Sequence, residues 1–173
     1  QRAYDQIVHD VALQNLNVVF AIDRAGLVGT DGPTHHGIFD IAYMRSIPNM
    51  KILTPLNAQD LANTLYFVLQ KMGTIQGPIA IRYPRDVESG KIDEICGKID
   101  STEFFSPFRW ENLVEGNDVA ILAVGTLSRE YVEMCQKNNW TLLGVRSVKP
   151  FDANAILKII STHTFIFTVE EGT

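Results

Sequence analysis

Hydrophobic residues along this chain follow two alternating patterns, one typical of amphipathic helices and the other typical of buried strands. Apolar residues at helical spacing predict helices over 2–14 and 58–71, each with one face packed on a sheet. Continuous apolar runs predict a strand at 18–22, covered on both faces, a second at 79–83 and a third at 119–124. Alternation of strands and helices predicts an α/β fold with parallel sheets.

Shorter segments with turn or capping residues complete the pattern. Asn57 is the predicted N-cap of the helix at 58–71, and Asp152 caps a helix that ends near residue 160. We expect the side chains of Leu61, Leu65, Val68 and Leu69 to face inward. The remaining predicted elements are helices at 39–45 and 128–137 and strands at 51–53, 141–145 and 165–169.

The predicted elements form two units separated by an irregular segment. Residues 87–117 combine scattered charges with aromatic residues that keep no steady period, so we interpret them as an interdomain linker that packs partly onto a surface. Residues 1–86 and 118–173 then each form a parallel-sheet unit with three layers.

Chemistry-bearing residues concentrate in residues 23–37, directly after the first predicted strand. This stretch holds four glycines, two histidines and three charged residues, and has no hydrophobic period. Loops at the carboxyl ends of parallel strands hold ligands in α/β sheets, and long polar loops are often functional. Composition alone leaves open whether this is a binding loop or a solvated surface loop.

Four residues are the strongest candidates for a site. Arg24 and Arg85 each follow a predicted strand, so in a shared parallel sheet both rim one crevice and suit a phosphate group. His35 is a candidate proton carrier, and Asp31 either orients it or binds a substrate hydroxyl. The alternatives are surface salt bridges for the arginines and an exposed histidine without function. No metal site is predicted, because no third ligand has suitable spacing.

Charge and cysteine content limit the possible partners. The net charge of −5 offers no basic field for nucleic acid or anionic membranes, and no apolar run has the ~20 residues of a membrane helix. Cys96 and Cys135 have no metal-ligand spacing. The sequence leaves a disulfide between them open, and we expect two reduced, partly buried thiols in a cytoplasmic protein. The chain starts inside a helical pattern without Met, and we expect it to be a segment of a longer polypeptide.

Several motifs resemble the signature of the 1-deoxy-D-xylulose-5-phosphate synthase family, thiamine diphosphate enzymes of the transketolase superfamily. The resemblance covers most of the chain and is weakest between about 87 and 115. It is carried by the segments Gln1-Arg2-Ala3-Tyr4-Asp5-Gln6, Asp23-Arg24-Ala25-Gly26, Asp31-Gly32, Thr34-His35, Phe39-Asp40, Ile47-Pro48-Asn49-Met50, Ala80-Ile81-Arg82-Tyr83-Pro84-Arg85 and Val148-Lys149-Pro150.

The resemblance implies a fold and a reaction. The fold is a transketolase-type pyrimidine-binding domain, of which residues 1–86 are the later part, followed by the first part of a transketolase C-terminal domain. The reaction condenses pyruvate with glyceraldehyde 3-phosphate, releases CO2 and gives 1-deoxy-D-xylulose 5-phosphate for isoprenoid, thiamine and pyridoxal biosynthesis. It further implies thiamine diphosphate and Mg2+ as cofactors and a homodimer in the cytoplasm.

The resemblance also assigns residue roles. Arg24 and Arg85 match arginines implicated in holding the substrate phosphate, Asp31 and His35 match residues that contact the substrate or intermediate, and Arg2 matches an arginine near the cofactor. Asp86 stands where the family usually has Gly, and a carboxylate there either weakens phosphate affinity at Arg85 or points away.

Parts that the family needs for turnover are not in this chain. The glutamate that protonates the aminopyrimidine and the diphosphate-binding domain with its metal ligands match no segment, so we expect the isolated chain to be inactive. Two alternatives remain: another transketolase-superfamily subunit, either a 2-oxo acid dehydrogenase β-type subunit or a transketolase half, and a non-catalytic dimerisation module. The Arg24, Asp31 and His35 pattern favours the synthase over the other subunits.

Overall fold

The computed structural model describes residues 2–87, 99 and 105–172. Within these residues the chain forms two four-stranded sheets with helices packed against them. The elements before the undescribed segment are α1 (Tyr4–Gln6), which continues as a π-helix (Ile7–Ala12), β1 (Val19–Ile22), α2 (Asp40–Arg45), β2 (Lys51–Leu53), α3 (Ala58–Lys71) and β3 (Ile79–Arg82). Those after it are β4 (Glu111–Val114), β5 (Asp118–Val124), a 3-10 helix (Gly125–Tyr131), α4 (Val132–Asn138), β6 (Thr141–Val145), β7 (Ser147–Lys149), α5 (Ala153–Thr162) and β8 (His163–Val169).

The first sheet has the strand order β1-β3-β2-β7. Strand β3 pairs in parallel with both β1 and β2, and all four of its residues are buried. Strand β1 is therefore an edge strand and is only partly buried, so the prediction that both of its faces are covered is wrong. Its apolar composition does not reveal that the face carrying the exposed Ala21 lacks a packing partner among the described residues.

The fourth strand of the first sheet comes from the second half of the sequence. Strand β7 pairs antiparallel with β2, and the Lys149 ammonium at its end donates to the carbonyls of Arg45 at 2.9 Å and Ile47 at 2.7 Å. The boundary at residue 118 therefore does not separate the two sheets, because the chain returns to the first sheet for three residues.

The second sheet has the order β4-β6-β5-β8, with β5 parallel to β6 and β8. Strand β4 pairs antiparallel with β6 and lies within 87–117, so this part of the predicted linker is a strand. Four residues without a long hydrophobic run carry little local signal, and the pairing with β6 decides their conformation. Strand β8 is largely exposed, including Phe165 at 59% and Phe167 at 55%.

The two longer helices, α3 and α5, have N-caps at the residues that the sequence predicts. The Asn57 side chain accepts from the Asp60 amide at 2.8 Å, and the Asp152 side chain accepts from the Ala155 amide at 3.1 Å. On α3, Val68 is fully buried, whereas Leu69 is 61% exposed and its predicted inward position is wrong.

Hydrogen bonds and an ion pair join the two halves of the chain. The Thr54 amide donates to the Arg146 carbonyl at 2.6 Å, and the Thr54 hydroxyl donates to the Val145 carbonyl at 2.7 Å. The Arg146 guanidinium also donates to the buried Asp60 carboxylate at 3.0 Å. One hydrophobic cluster contains buried residues of both sheets, so these contacts close a shared core.

No helix in the described part of the chain combines the length and apolar character needed to cross a membrane. Cys135 is a fully buried free thiol whose pKa is raised by desolvation, whereas Cys96 lies outside the described residues.

Candidate functional site

The loop that connects β1 to α2 is closed at its base by backbone hydrogen bonds. We call residues 23–37 the binding loop, after the role that the family resemblance implies for them. The amide of Gly26 donates to the Gly37 carbonyl at 3.0 Å, and the Gly37 amide donates back at 2.9 Å. The Ala25 amide donates to the Tyr83 carbonyl at 3.0 Å, which ties the loop to the end of β3. The loop therefore projects from the carboxyl edge of two neighbouring parallel strands.

Two backbone features at this base depend on particular residues. A Cβ on Gly37 would lie 2.2 Å from the Arg24 carbonyl oxygen, so only glycine allows the two ends of the loop to approach each other this closely. Arg24 itself has a φ of 59°, which is uncommon for a residue other than glycine. Such conformations occur often at binding sites, where the surrounding contacts hold them in place.

Asp31 bridges the two candidate arginines. The Arg24 Nε donates to Asp31 Oδ2 at 2.7 Å, and Arg85 Nη1 donates to Asp31 Oδ1 and to the Thr30 hydroxyl. Arg24 also pairs with Asp23. The structure thus brings Arg24, Arg85 and Asp31 together at the ends of β1 and β3, with the Arg85 side chain half exposed.

The charges in this cluster shift the pKa of two of its members. The hydrogen bond from Arg24 lowers the pKa of Asp31 below its usual range, with a further contribution from Arg85, against the opposing effect of desolvation. The hydrogen bond to Asp31 and the charge of Asp23 raise the pKa of Arg24. Asp31 is therefore a carboxylate, and both of its oxygens accept from guanidinium groups.

The two loop histidines have different partners. The Nδ1 of His35 lies 2.9 Å from the Thr34 hydroxyl, so in this structure Thr34, and not Asp31, orients the His35 ring. The Nδ1 of His36 accepts from the Val28 amide at 2.9 Å, which places the proton of the neutral ring on Nε2. His36 therefore shapes the loop, a role that its position in the sequence did not reveal.

A cavity of about 560 Å3 lies beside the binding loop. It contains three of the predicted site residues, whereas Asp31 and Arg85 are outside its lining. The sequence did not predict the two aromatic residues of the lining, Phe39 and Tyr43. Burial, and then the charge of Asp40, raises the pKa of the Tyr43 hydroxyl, which therefore stays neutral. The charged and aromatic lining residues are Arg2, Asp23, Arg24, His35, His36, Phe39, Asp40 and Tyr43.

A second cavity of about 360 Å3 is lined by Arg85, by the start of α3 and by the 3-10 helix that follows β5. Asp86 also lines it, and the Asp86 carboxylate accepts from the Val87 amide at 2.7 Å. The Asp86 side chain is therefore engaged by the backbone that follows it, and Arg85 pairs with Asp31 instead.

A buried ion pair supports the base of the binding loop. Arg82 and Asp40 are 6% and 4% exposed, and the Arg82 Nε donates to Asp40 Oδ2 at 2.8 Å. The Arg82 Nη2 also donates to the carbonyls of Gly37 at 2.7 Å and Glu171 at 3.0 Å. The Arg82 guanidinium is therefore held in the interior by three hydrogen-bond partners. Its partner Asp40 is 42 residues away and was not identified from the sequence.

Metal-binding groups are not assembled here. Across the described residues, no cluster of three or more His, Cys, Asp or Glu side chains has an arrangement suited to a metal ion. The two carboxylates that line the larger cavity are both engaged, Asp23 by Arg24 and Asp40 by Arg82. The site therefore offers guanidinium, imidazole and aromatic groups.

Comparisons with known families match both halves of the chain. Residues 1–88 match the family described as transketolase, pyrimidine binding domain, and residues 109–173 match transketolase, C-terminal domain. Among curated proteins, 1-deoxy-D-xylulose-5-phosphate synthase of Thermotoga maritima is 43% identical over 99% of this chain, and that of Halalkalibacterium halodurans is 46% identical over 99%. The matched region is 27% of the length of each, so the chain spans about a quarter of these relatives.

Solved structures with a similar fold carry transketolase names. A protein described as split gene transketolase, inactive beta4 tetramer, superposes with a TM-score of 0.74 at 29% identity, over 99% of this chain and 53% of that one. Transketolase from Leishmania mexicana superposes with a TM-score of 0.68 at 18% identity, over 94% of this chain and 24% of that one, which shows the fold alone. The two α/β units are therefore those of the two matched domains.

Proposed function

Because this chain belongs to the transketolase family, we propose that it is part of a thiamine-diphosphate-dependent synthase that joins pyruvate to glyceraldehyde 3-phosphate. CO2 is released, and the product is 1-deoxy-D-xylulose 5-phosphate. In this proposal, residues 1–88 belong to the pyrimidine-binding domain and carry the contacts to the phosphorylated substrate. The activity is that of a transketolase-type transferase.

The observation that carries the proposal is the pair of arginines on one carboxylate. Arg24 and Arg85 approach Asp31 from two strand ends, and each donates to a different oxygen of its carboxylate. A phosphate monoester presents the same kind of acceptor with more charge and more oxygens, which favours it over a carboxylate between two guanidinium groups. Glyceraldehyde 3-phosphate then binds with its phosphate in the position that Asp31 oxygens occupy.

His35 and Asp31 act next to the phosphate in this proposal. The Nδ1 of His35 contacts the Thr34 hydroxyl, so Nε2 is the ring atom that hydrogen-bonds to the substrate or moves a proton. Once the phosphate holds the arginines, the Asp31 carboxylate is available to accept from a substrate hydroxyl. Both residues thereby orient the aldehyde end of the substrate.

The residues present fit only the edge of a thiamine diphosphate site. Arg2 lines the larger cavity together with Phe39 and Tyr43, and these groups suit the rim of an aromatic cofactor. The carboxylates there are paired with arginines, so groups outside this chain would hold the aminopyrimidine, the diphosphate and Mg2+. The cofactor supplies the carbon–carbon bond chemistry. On this basis the isolated chain is inactive.

A chimeric enzyme tests the proposal. The chain replaces the 172 matched residues of the Thermotoga maritima relative, and the product from pyruvate and glyceraldehyde 3-phosphate is identified by NMR. We expect 1-deoxy-D-xylulose 5-phosphate, with KM for glyceraldehyde 3-phosphate raised roughly tenfold or more by Arg24→Ala because one charge-assisted contact is lost. The exposed Arg109 provides the matched control, and Arg109→Ala leaves KM unchanged.

Two results would contradict the proposal. A folded chimera that forms a different product would indicate another transketolase-type reaction. A chimera whose turnover is unaffected by Arg24→Ala and His35→Ala would indicate that this chain is a non-catalytic dimerisation module.

A further inference from the structure

The segment after β8 lies directly against the base of the binding loop. The Arg82 Nη2 donates to the Glu171 carbonyl at 3.0 Å and to the Gly37 carbonyl at 2.7 Å. One buried guanidinium therefore holds both the last residue of the binding loop and a residue that follows the final strand of the second sheet.

The side chain of Glu171 covers Gly26 at the same place. Gly26 is buried although it has no side chain, and a Cβ built on it would lie 1.9 Å from Glu171 Oε2 and 2.9 Å from Glu171 Cβ. Gly26 and Gly37 exchange two hydrogen bonds that close the loop. The Glu171 side chain, although exposed itself, therefore occupies the space beside Gly26, next to these two bonds.

Asp40 fixes the orientation of this arrangement. It pairs with the Arg82 Nε at 2.8 Å at the start of α2, so the guanidinium cannot turn without breaking a buried ion pair. The strand end of β3, the start of α2 and the segment after β8 consequently meet at the two glycines of the loop base.

We propose that Glu171 is a positioning residue for the binding loop, through which the second unit holds Arg24, Asp31 and His35 in place. Its side chain lies beside the Gly26–Gly37 bonds, and its carbonyl completes the contacts of Arg82. The identity of the ligand at the loop rests on the proposed function, whereas the coupling between Glu171 and the loop does not.

Amide hydrogen exchange, measured by NMR on the 173-residue chain, tests this coupling. Glu171→Ala removes the cover, and we expect the amides of Gly26 and Gly37 to exchange roughly tenfold faster, since local opening becomes easier. Amides of β5 keep their rates. Glu171→Gln has the same length and restores the wild-type rates. The exposed neighbour provides the matched control Glu170→Ala, which changes nothing at the loop.

Arg82→Lys tests the other half of the coupling. Lysine keeps a positive charge near Asp40 but lacks the planar fork that reaches two carbonyls, so the same loop amides exchange faster. Unchanged exchange of Gly26 and Gly37 in Glu171→Ala would overturn the proposal. So would an equal rise at β5, because it would show general destabilisation, and so would failure of Glu171→Gln to restore the wild-type rates.

Titration with inorganic phosphate separates this inference from the proposed function. We expect phosphate to bind several-fold more weakly to Glu171→Ala than to the wild-type chain or Glu170→Ala. If the wild-type chain binds no phosphate, the proposed phosphate site is contradicted. Faster exchange of the loop amides in Glu171→Ala would still support the positioning role in that case.

Discussion

Two aspartate–arginine clusters lie near the ends of β1 and β3 and differ mainly in their exposure. Arg82 and Asp40 are almost fully buried and form one ion pair with additional bonds to backbone carbonyls. Arg24 and Arg85 share Asp31 at the surface, where the side chains are 33%, 50% and 19% exposed. The chemistry is the same, yet only the second cluster can exchange its carboxylate for an anion from solution.

The difference follows from the cost of removing charges from water. A buried carboxylate–guanidinium pair that loses one partner leaves a charge without solvation, so neither partner is replaceable by a ligand. An exposed pair is screened and contributes little to folding, so its groups are available for binding. Burial therefore separates a cluster that holds the loop in place from one whose guanidinium groups are accessible to the phosphate of the proposed function.

Replacing the two aspartates by alanine should give the largest difference between the clusters. Asp40→Ala leaves Arg82 buried without its carboxylate, and we expect a loss of about 3–5 kcal/mol in the free energy of unfolding. Asp31→Ala is the matched variant in the exposed cluster and should change the unfolding midpoint little. Urea denaturation at neutral pH measures both variants. Equal destabilisation by the two substitutions would contradict the assignment of a structural role to the buried cluster alone.

A smaller effect is expected from the pH dependence of the exposed cluster. The pKa of Asp31 is lowered from its ordinary value of 3.8, first by the hydrogen bond from Arg24, so its contribution to stability is fully present above that pH. It is lost only as the pH falls through the lowered pKa. We expect the stability difference between the wild-type chain and Asp31→Asn to be constant at roughly pH 5 to 8 and to shrink below 3.8.

Unfolding midpoints of the two proteins across this pH range test the prediction. A stability difference that changes near neutral pH would show that Asp31 is not the carboxylate held by Arg24 and Arg85.

Local sequence signals predicted the elements that depend on local chemistry. The caps at Asn57 and Asp152 and the apolar runs of β3 and β5 are confirmed, because a capping side chain or a buried run acts within a few residues. The family resemblance is confirmed by the matched domains and relatives. The roles of Arg2, Arg24, Asp31, His35 and Arg85 remain predictions.

Long-range pairing explains what the sequence did not reveal. Strand β7 joins the first sheet across almost 100 residues of chain, and β4 is defined by its pairing with β6. The Arg82–Asp40 pair and the contact of Glu171 with Gly26 likewise join distant segments. None of these partners carries a local pattern, so only the folded arrangement identifies them.

NMR signals of the arginine guanidinium N–H groups report both clusters in one titration and so distinguish an exchangeable cluster from a fixed one. On addition of glyceraldehyde 3-phosphate, we expect the guanidinium N–H signals of Arg24 at Nε and of Arg85 at Nη1 to shift, since phosphate replaces the Asp31 oxygens that these groups contact. The signal of Arg82, which donates to Asp40 at 2.8 Å in the interior, should stay where it is. Unchanged signals from Arg24 and Arg85, or a shift confined to Arg82, would contradict the assignment of the exposed cluster as the phosphate site.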